Sequence, residues 1–173
     1  RARTPSAATP RPAPDGGPRA CRPAPAFRKM AMTGLDWPAH EGEMAGLIRT
    51  HDWAKSAMGP TSVWPPYLRA FVAFILHSTK PLALIWGADG VMLYNDSFAA
   101  IAGRRHPALL GARMREAWPE VGGWSTRILR AVLRGRTVDV KDQKFVLDRR
   151  GGAAPAWFEL EFSPVFDEHG LPA

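Results

Sequence analysis

Pro81-Leu-Ala-Leu-Ile-Trp-Gly-Ala-Asp-Gly-Val-Met-Leu-Tyr-Asn-Asp-Ser-Phe-Ala-Ala-Ile-Ala-Gly103 is the stretch that decides the fold. Two short apolar runs, Leu82–Trp86 and Val91–Tyr94, flank Gly87-Ala-Asp-Gly90. This spacing predicts a tight hairpin in which Gly90 is available for a positive φ. Asn95, Asp96 or Ser97 then offers a side-chain oxygen to the first N–H groups of a short helix over Phe98–Ala102, which Gly103 ends. The period of the apolar positions changes at Pro81, from helical before it to strand-like after it.

Working toward the N-terminus, Tyr67–His77 is apolar nearly all round (Leu68, Phe71, Val72, Phe74, Ile75, Leu76), so this helix must be covered on more than one side. Pro65 and Pro66 suit its first turn, and a turn-rich loop from Met58 precedes it. Glu43–Trp53 places Met44, Leu47, Ile48 and His51 on one helical face; Gly42 and Gly46 weaken that helix, which therefore needs tertiary support. Toward the C-terminus, His106–Trp118 reads as helical turns broken at Gly111 and stopped by Pro119. Gly123 or Ser125 opens a helix to Leu133 with Gly135 just beyond its end. Val138–Leu147 and Trp157–Phe166 read as two long strands joined through 149–155. The first changes phase near Asp142-Gln143, the sign of a bulge, and a turn follows at Asp167–Gly170. The order is two helices and then β-β-α-α-α-β-β, an α+β pattern with no internal repeat.

The 173 residues carry 23 Lys plus Arg against 16 Asp plus Glu, a net charge of +7, and a pI near 10.3. That balance points first to nucleic acid. Seven of the basic side chains and one acid fall within residues 1–30, however, and the remaining 143 residues are close to neutral. The same thirty residues hold seven of the 17 prolines and a single aromatic, Phe27. They cannot bury enough apolar surface to offset ordering entropy. Residues 1–35 are expected to be a disordered tail, 36–79 a helical lead-in and 80–173 the main domain. Met30 or Met32 is an alternative start, which would make the preceding stretch non-native. Nucleic-acid binding through the basic tail is the alternative function, with strong salt dependence as its signature. The one cysteine, Cys21, lies in this tail, so no intramolecular disulfide forms. A reducing, cytoplasmic setting follows as the default. The longest apolar run, Ala70–Leu76, is far below the ~20 residues that span a bilayer.

Ordinary catalytic motifs are absent: the chain has no GxSxG, Walker A loop, HExxH or GxGxxG. Glu159 and Glu161 share one face of a strand and read first as a solvated surface. The five histidines lack metal-ligand spacing. Asn95 and Asp96, at a strand-to-helix junction, are expected to be structural caps. Arg127, Arg130 and Arg134 form a stripe that reads as a solvated helix face. Trp86, Tyr94, Phe98, Trp118, Phe145, Phe158 and Phe162 are the candidate lining of a pocket between sheet and helices, with His106 as a polar contact. A filled core is the plainer reading of the same residues.

Three groups of residues together resemble a PAS domain, in particular the N-terminal PAS module of bacterial sensor histidine kinases. They are Gly42-Glu-Met-Ala with His51-Asp-Trp53, Met58-Gly-Pro60 and Trp64-Pro65; Leu93-Tyr-Asn-Asp-Ser-Phe98 with His106-Pro-Ala-Leu-Leu-Gly111 and Ala117-Trp-Pro-Glu120; and Asp142-Gln143 with Phe162-Ser-Pro-Val165. The likeness covers about residues 41–173. It implies five antiparallel strands in the order 2-1-5-4-3, with helices on one face around a small pocket. Four strands are found, so the fifth, central one is expected to be missing and the chain to be a fragment of a longer sensor. The resemblance further implies a homodimer, and a state relayed through Leu68, Phe71, Val72, Phe74 and Ile75 to a downstream output domain, most simply a histidine kinase. The alternative is a ligand-free protein-interaction module of a diguanylate cyclase or transcription regulator. The fragment itself carries no phosphoacceptor or ATP-binding motif and should not be catalytic. The cofactor is unknown. Haem is disfavoured, because the helix over residues 125–134 has no His. A flavin adduct is disfavoured, because the helix after the first hairpin has no Cys.

Overall fold

Apolar alternation and turn chemistry set the first hairpin where the sequence predicts it. In the computed structural model, which describes residues 37–149 and 152–173, β1 (Ala83–Trp86) pairs antiparallel with β2 (Val91–Tyr94), Ala83 opposite Tyr94 and Trp86 opposite Val91. Gly87 and Gly90 both take positive φ, at 69° and 65°, and the Gly90 N–H closes the turn on the Gly87 carbonyl at 3.0 Å. Gly90 is also a close approach, since a Cβ there would stand 3.2 Å from Leu129 Cδ2. The expected tail, residues 1–35, lies outside the described residues.

Two helices precede the hairpin. α1 (Glu43–Thr50) is shorter than the apolar pattern suggests, because the chain turns extended at His51 before a single 3₁₀ turn over Trp53–Lys55. α2 (Pro66–Leu76) begins with proline in its first turn, where no N–H is needed. It buries Leu68, Val72, Ile75 and Leu76, leaves Phe71 half-buried and exposes Phe74. The expected covering on more than one side thus fails at Phe74. Trp37, Trp53 and Trp64 stack edge to face, with centroids 5.6 and 4.8 Å apart, and form the centre of this lead-in.

After β2 come α3 (Asp96–Ala102), α4 (Met114–Ala117) and α5 (Gly122–Val132). Between α3 and α4, residues 111–114 run along the outer edge of β2. Met92 N donates to Ala112 O at 2.9 Å, Gly111 N to Met92 O at 2.9 Å and Met114 N to Gly90 O at 2.8 Å. β2 is therefore paired on both sides, and all four of its residues are buried. Gly111 takes φ 75° with His51 packed against it, and a Cβ there would collide with the imidazole.

β3 (Val138–Arg149) pairs antiparallel with β4 (Gly152–Phe162). The register shifts between Val140 and Gln143, and Asp142 takes φ 51°, so the bulge falls where the phase change predicts it. The hairpin is tighter than the sequence suggests: pairing reaches Arg149 and Gly152, where a loop over 149–155 was expected. Pro155 sits opposite Val146 in this pair. β4 ends at Phe162 rather than Phe166, because Pro164 interrupts it. The four strands form two separate two-stranded sheets, β1-β2 and β3-β4. Among the described residues no helix is long and apolar enough to cross a membrane.

One side chain ties the helical lead-in to the hairpin. Asn95 is 1% exposed. Its Oδ1 accepts from Leu82 N (3.1 Å) and Phe98 N (3.0 Å). Its Nδ2 faces the carbonyls of Ile75 (3.1 Å), Ser78 (3.0 Å) and Lys80 (2.7 Å). It caps α3 and fixes the end of α2 against the start of β1. Asp96 caps a different helix: its Oδ1 accepts from Met44 N of α1 at 2.9 Å. Replacing Asn95 by Ala strands these buried backbone groups and should lower stability by about 2–4 kcal/mol. Urea unfolding should show this as a drop in the midpoint at constant slope; a loss under ~0.5 kcal/mol would remove Asn95 from this role.

Candidate ligand chamber

Period-two alternation gives β4 an inner and an outer face. Phe158, Leu160 and Phe162 turn inward and are half-buried, while Trp157, Glu159 and Glu161 are exposed. Glu159 and Glu161 thus lie on the outer face, where Glu161 accepts a hydrogen bond from Ser163 Oγ at 2.9 Å. The inner face borders a largely apolar, partly open chamber of about 340 Å³ against the hairpin and the helices, with Glu159 and Glu161 also among its lining residues. β1 and β2 contribute Ile85 and Met92, α3 contributes Phe98 and Ile101, and Met114, Trp118 and Val121 follow from α4 and the turn after it.

Trp124 of α5 is the keystone of the far wall. Its ring meets Phe145 of β3 edge to face at 5.2 Å and Phe162 of β4 at 5.6 Å, and Phe145 lies 5.8 Å from Phe158. Arg105 stiffens the opposite corner: its guanidinium lies 4.4 Å from the centre of the Trp118 ring, donates to Ala117 O at 2.8 Å and forks onto Glu120. No buried side-chain nitrogen or oxygen among the described residues lacks a partner. The lining is chiefly apolar, with Glu159 and Glu161 as its charged members. Among the described residues no group of three or more His, Cys, Asp or Glu side chains is placed to hold a metal ion.

Five of the aromatic residues singled out in the sequence, Phe98, Trp118, Phe145, Phe158 and Phe162, line this chamber together. Trp86, Tyr94 and His106 stand elsewhere. Trp86 packs on Tyr67 of α2, with ring centroids 5.8 Å apart. Tyr94 is fully buried in the core, and its hydroxyl meets His106 Nδ1 at 3.0 Å. His106 turns its Nε2 toward Glu43 at 3.2 Å and borders a separate cleft with Glu43 and Asp96. Sequence reasoning missed Trp124, Met114 and Met92. Trp124 falls at the helix start, but its position four residues before Ile128 puts both on one face of α5, and that spacing was the available signal.

A short antiparallel hairpin, a run of short helices and a long antiparallel hairpin border one largely apolar chamber. A family model described as the PAS fold matches residues 76–173, more than half of the chain. The chain belongs to the PAS-fold family. Comparison with curated proteins gives no match. The PAS match begins at the end of α2, so α1 and most of α2 precede it.

Two titrations probe this PAS core. Burial, and secondarily the Glu43 carboxylate, push the Tyr94 phenol up to about 12. The folded protein holds that proton more tightly than an unfolded chain, whose tyrosines ionise near ~10. The corresponding stability is complete below pH ~10 and is lost as the pH rises through the folded value. Tyr67 is the only other tyrosine. Ultraviolet titration of Tyr67→Phe should therefore show one late phenol that ionises with unfolding; ionisation near 10 in the folded state would contradict the burial. His51 is shifted the other way: burial lowers it, against the opposing pull of Asp52. Its contribution is present above pH ~6.5 and is lost as the pH falls through its lowered folded value. His51→Gln should flatten that part of the stability profile, and an unchanged profile would exclude His51 as its source.

Proposed function

We propose that this chain is the sensory module of a cytoplasmic two-component sensor, which binds a small apolar ligand in the chamber and relays its state to a histidine kinase output domain. The observation that carries the reading is the chamber, chiefly apolar and lined by aromatic side chains from the β3–β4 hairpin, α3, α5 and the end of α4. Sensing by such a module is a population shift: a guest that fits one packing of helices and sheet better than another favours that packing. Seven tryptophans, with Trp118 and Trp124 on the chamber wall, provide the readout. The neutral probe N-phenyl-1-naphthylamine should bind saturably and quench tryptophan emission. Filling the chamber with Val121→Trp should weaken it at least about tenfold, ~1.4 kcal/mol. Equal binding by both forms would place the probe elsewhere and remove the support for a ligand role.

The same reading assigns α2 to contact between two copies. Phe74, 66% exposed, is a large apolar side chain in the set Leu68, Phe71, Val72, Phe74 and Ile75; the other four are engaged in or against the core. A homodimer seen by light scattering and dispersed by Phe74→Asp supports the relay, whereas a dimer indifferent to that change removes α2 from the interface.

We also propose that a fifth strand occupies the gap between β1 and β4. Residues of both strands border one small cavity, together with Ala173. The turn at Asp167–Gly170 is built by the Asp167 carboxylate, which accepts from His169 N and Leu171 N. It sends Pro172 back opposite Phe166 and Ala173 N onto Val165 O at 2.9 Å, in the direction of that gap. Chain extended past Ala173 by about fifteen residues should melt at a sharply higher temperature; an unchanged Tm would leave the gap to another occupant.

A further inference from the structure

Tyr94, His106 and Glu43 form a hydrogen-bonded line through three elements that ligand binding by itself leaves without a role. At its inner end the Tyr94 ring lies 5.5 Å from Phe98, which lines the chamber. In the middle His106, 15% exposed, receives Tyr94 Oη at Nδ1 (3.0 Å) and faces Glu43 Oε1 with Nε2 (3.2 Å). At the outer end Glu43, 69% exposed, is the first residue of α1. We propose that this line transmits occupancy of the chamber to the α1 lead-in, a regulatory link that rests on the ligand reading of the same chamber.

The chemistry of the imidazole suits the task. A neutral ring protonated at Nε2 donates to Glu43 and accepts from the Tyr94 hydroxyl at Nδ1, so both ring nitrogens are occupied and the ring is held from two sides. The other acceptor near the Tyr94 hydroxyl is Pro107 O at 3.5 Å. A guest that displaces Phe98 moves the Tyr94 ring packed on it, and the hydroxyl then either drags the imidazole or turns to Pro107 O. In both cases the longer, exposed His106–Glu43 bond yields first. α1 is left with Asp96 Oδ1 on Met44 N as its other carboxylate tie to the domain. Two arrangements follow, one with Glu43 bridged to the core and one with it released. A single hydrogen bond separates them, which corresponds to about a fivefold change in their ratio.

Hydrogen exchange of the α1 amides reads the link directly. In the unaltered chain, saturating N-phenyl-1-naphthylamine should change exchange over Met44–Thr50 about fivefold. Glu43→Ala, at an exposed position that does not endanger folding, should bind the probe more tightly, by up to about fivefold because the guest no longer breaks that bond, while its α1 exchange no longer responds. Tyr94→Phe should behave alike, since it keeps the ring and removes the hydroxyl. A purely structural role would alter the basal exchange but preserve the response, and a Glu43→Ala chain that responds like the parent overturns the proposal. Phe98→Leu provides the arm that needs no ligand. It should change α1 exchange when Glu43 is present and leave it unchanged in the Glu43→Ala background. Equal changes in both backgrounds refute the link, while a change confined to the parent, in a chain that fails to bind the probe, keeps the link and discards the ligand reading.

Discussion

The fold depends on one constraint: the buried carboxamide of Asn95 must satisfy the backbone on both sides of the entry to the first hairpin. A buried amide costs several kcal/mol unless its hydrogen bonds are made. Here they are made to the end of α2, the segment leading to β1, the start of β1 and the first turn of α3. The position of α2 relative to the hairpin follows from that one side chain. Around it the apolar surfaces of Leu68, Val72, Ile75, Leu84 and Leu93 form a continuous core, and the PAS domain and its lead-in become one packed body.

Aromatic side chains do for the far side what Asn95 does for the near side. The β3–β4 hairpin shares no strand pairing with β1–β2, and Trp124, wedged between Phe145 and Phe162, is what brings it against the helices. Hydrogen bonds fix direction, and ring contacts adapt by small shifts. The half of the domain near Asn95 is accordingly held by directed hydrogen bonds, and the half around Trp124 by ring contacts.

Much of the local architecture was legible in the residues. Gly87 and Gly90 bracket a turn that only positive φ closes, Asn95 stands where α3 needs an acceptor, and the phase change at Asp142-Gln143 marks the bulge. These are local demands, met by the residues that make them. The ends of elements were less legible. β4 starts at Gly152 because cross-strand pairing with β3 overrides the poor strand propensity of Gly-Ala-Ala-Pro. α1 stops at Thr50, where His51 turns away to pack on Gly111. The chamber was legible only in part for the same reason. Phe145, Phe158 and Phe162 reveal themselves by alternation along strands, whereas Trp124 and Met114 depend on how distant helices dock. Tyr94 and His106, adjacent in type to a pocket lining, are drawn instead into a line of hydrogen bonds ending at Glu43, sixty-three residues away from His106 in the chain.

The strap formed by residues 111–114 carries a consequence for encounters between molecules. By pairing with the outer edge of β2 it turns that strand into an interior one, so no free backbone edge is presented on that side. A second chain meeting the first hairpin finds the β2 side already engaged by the strap, while the β1 side is the one assigned to the proposed fifth strand. Growth of the sheet is one-sided there, and a short segment, Gly111 to Met114, acts as the end-stop that keeps edge-to-edge stacking from running in both directions.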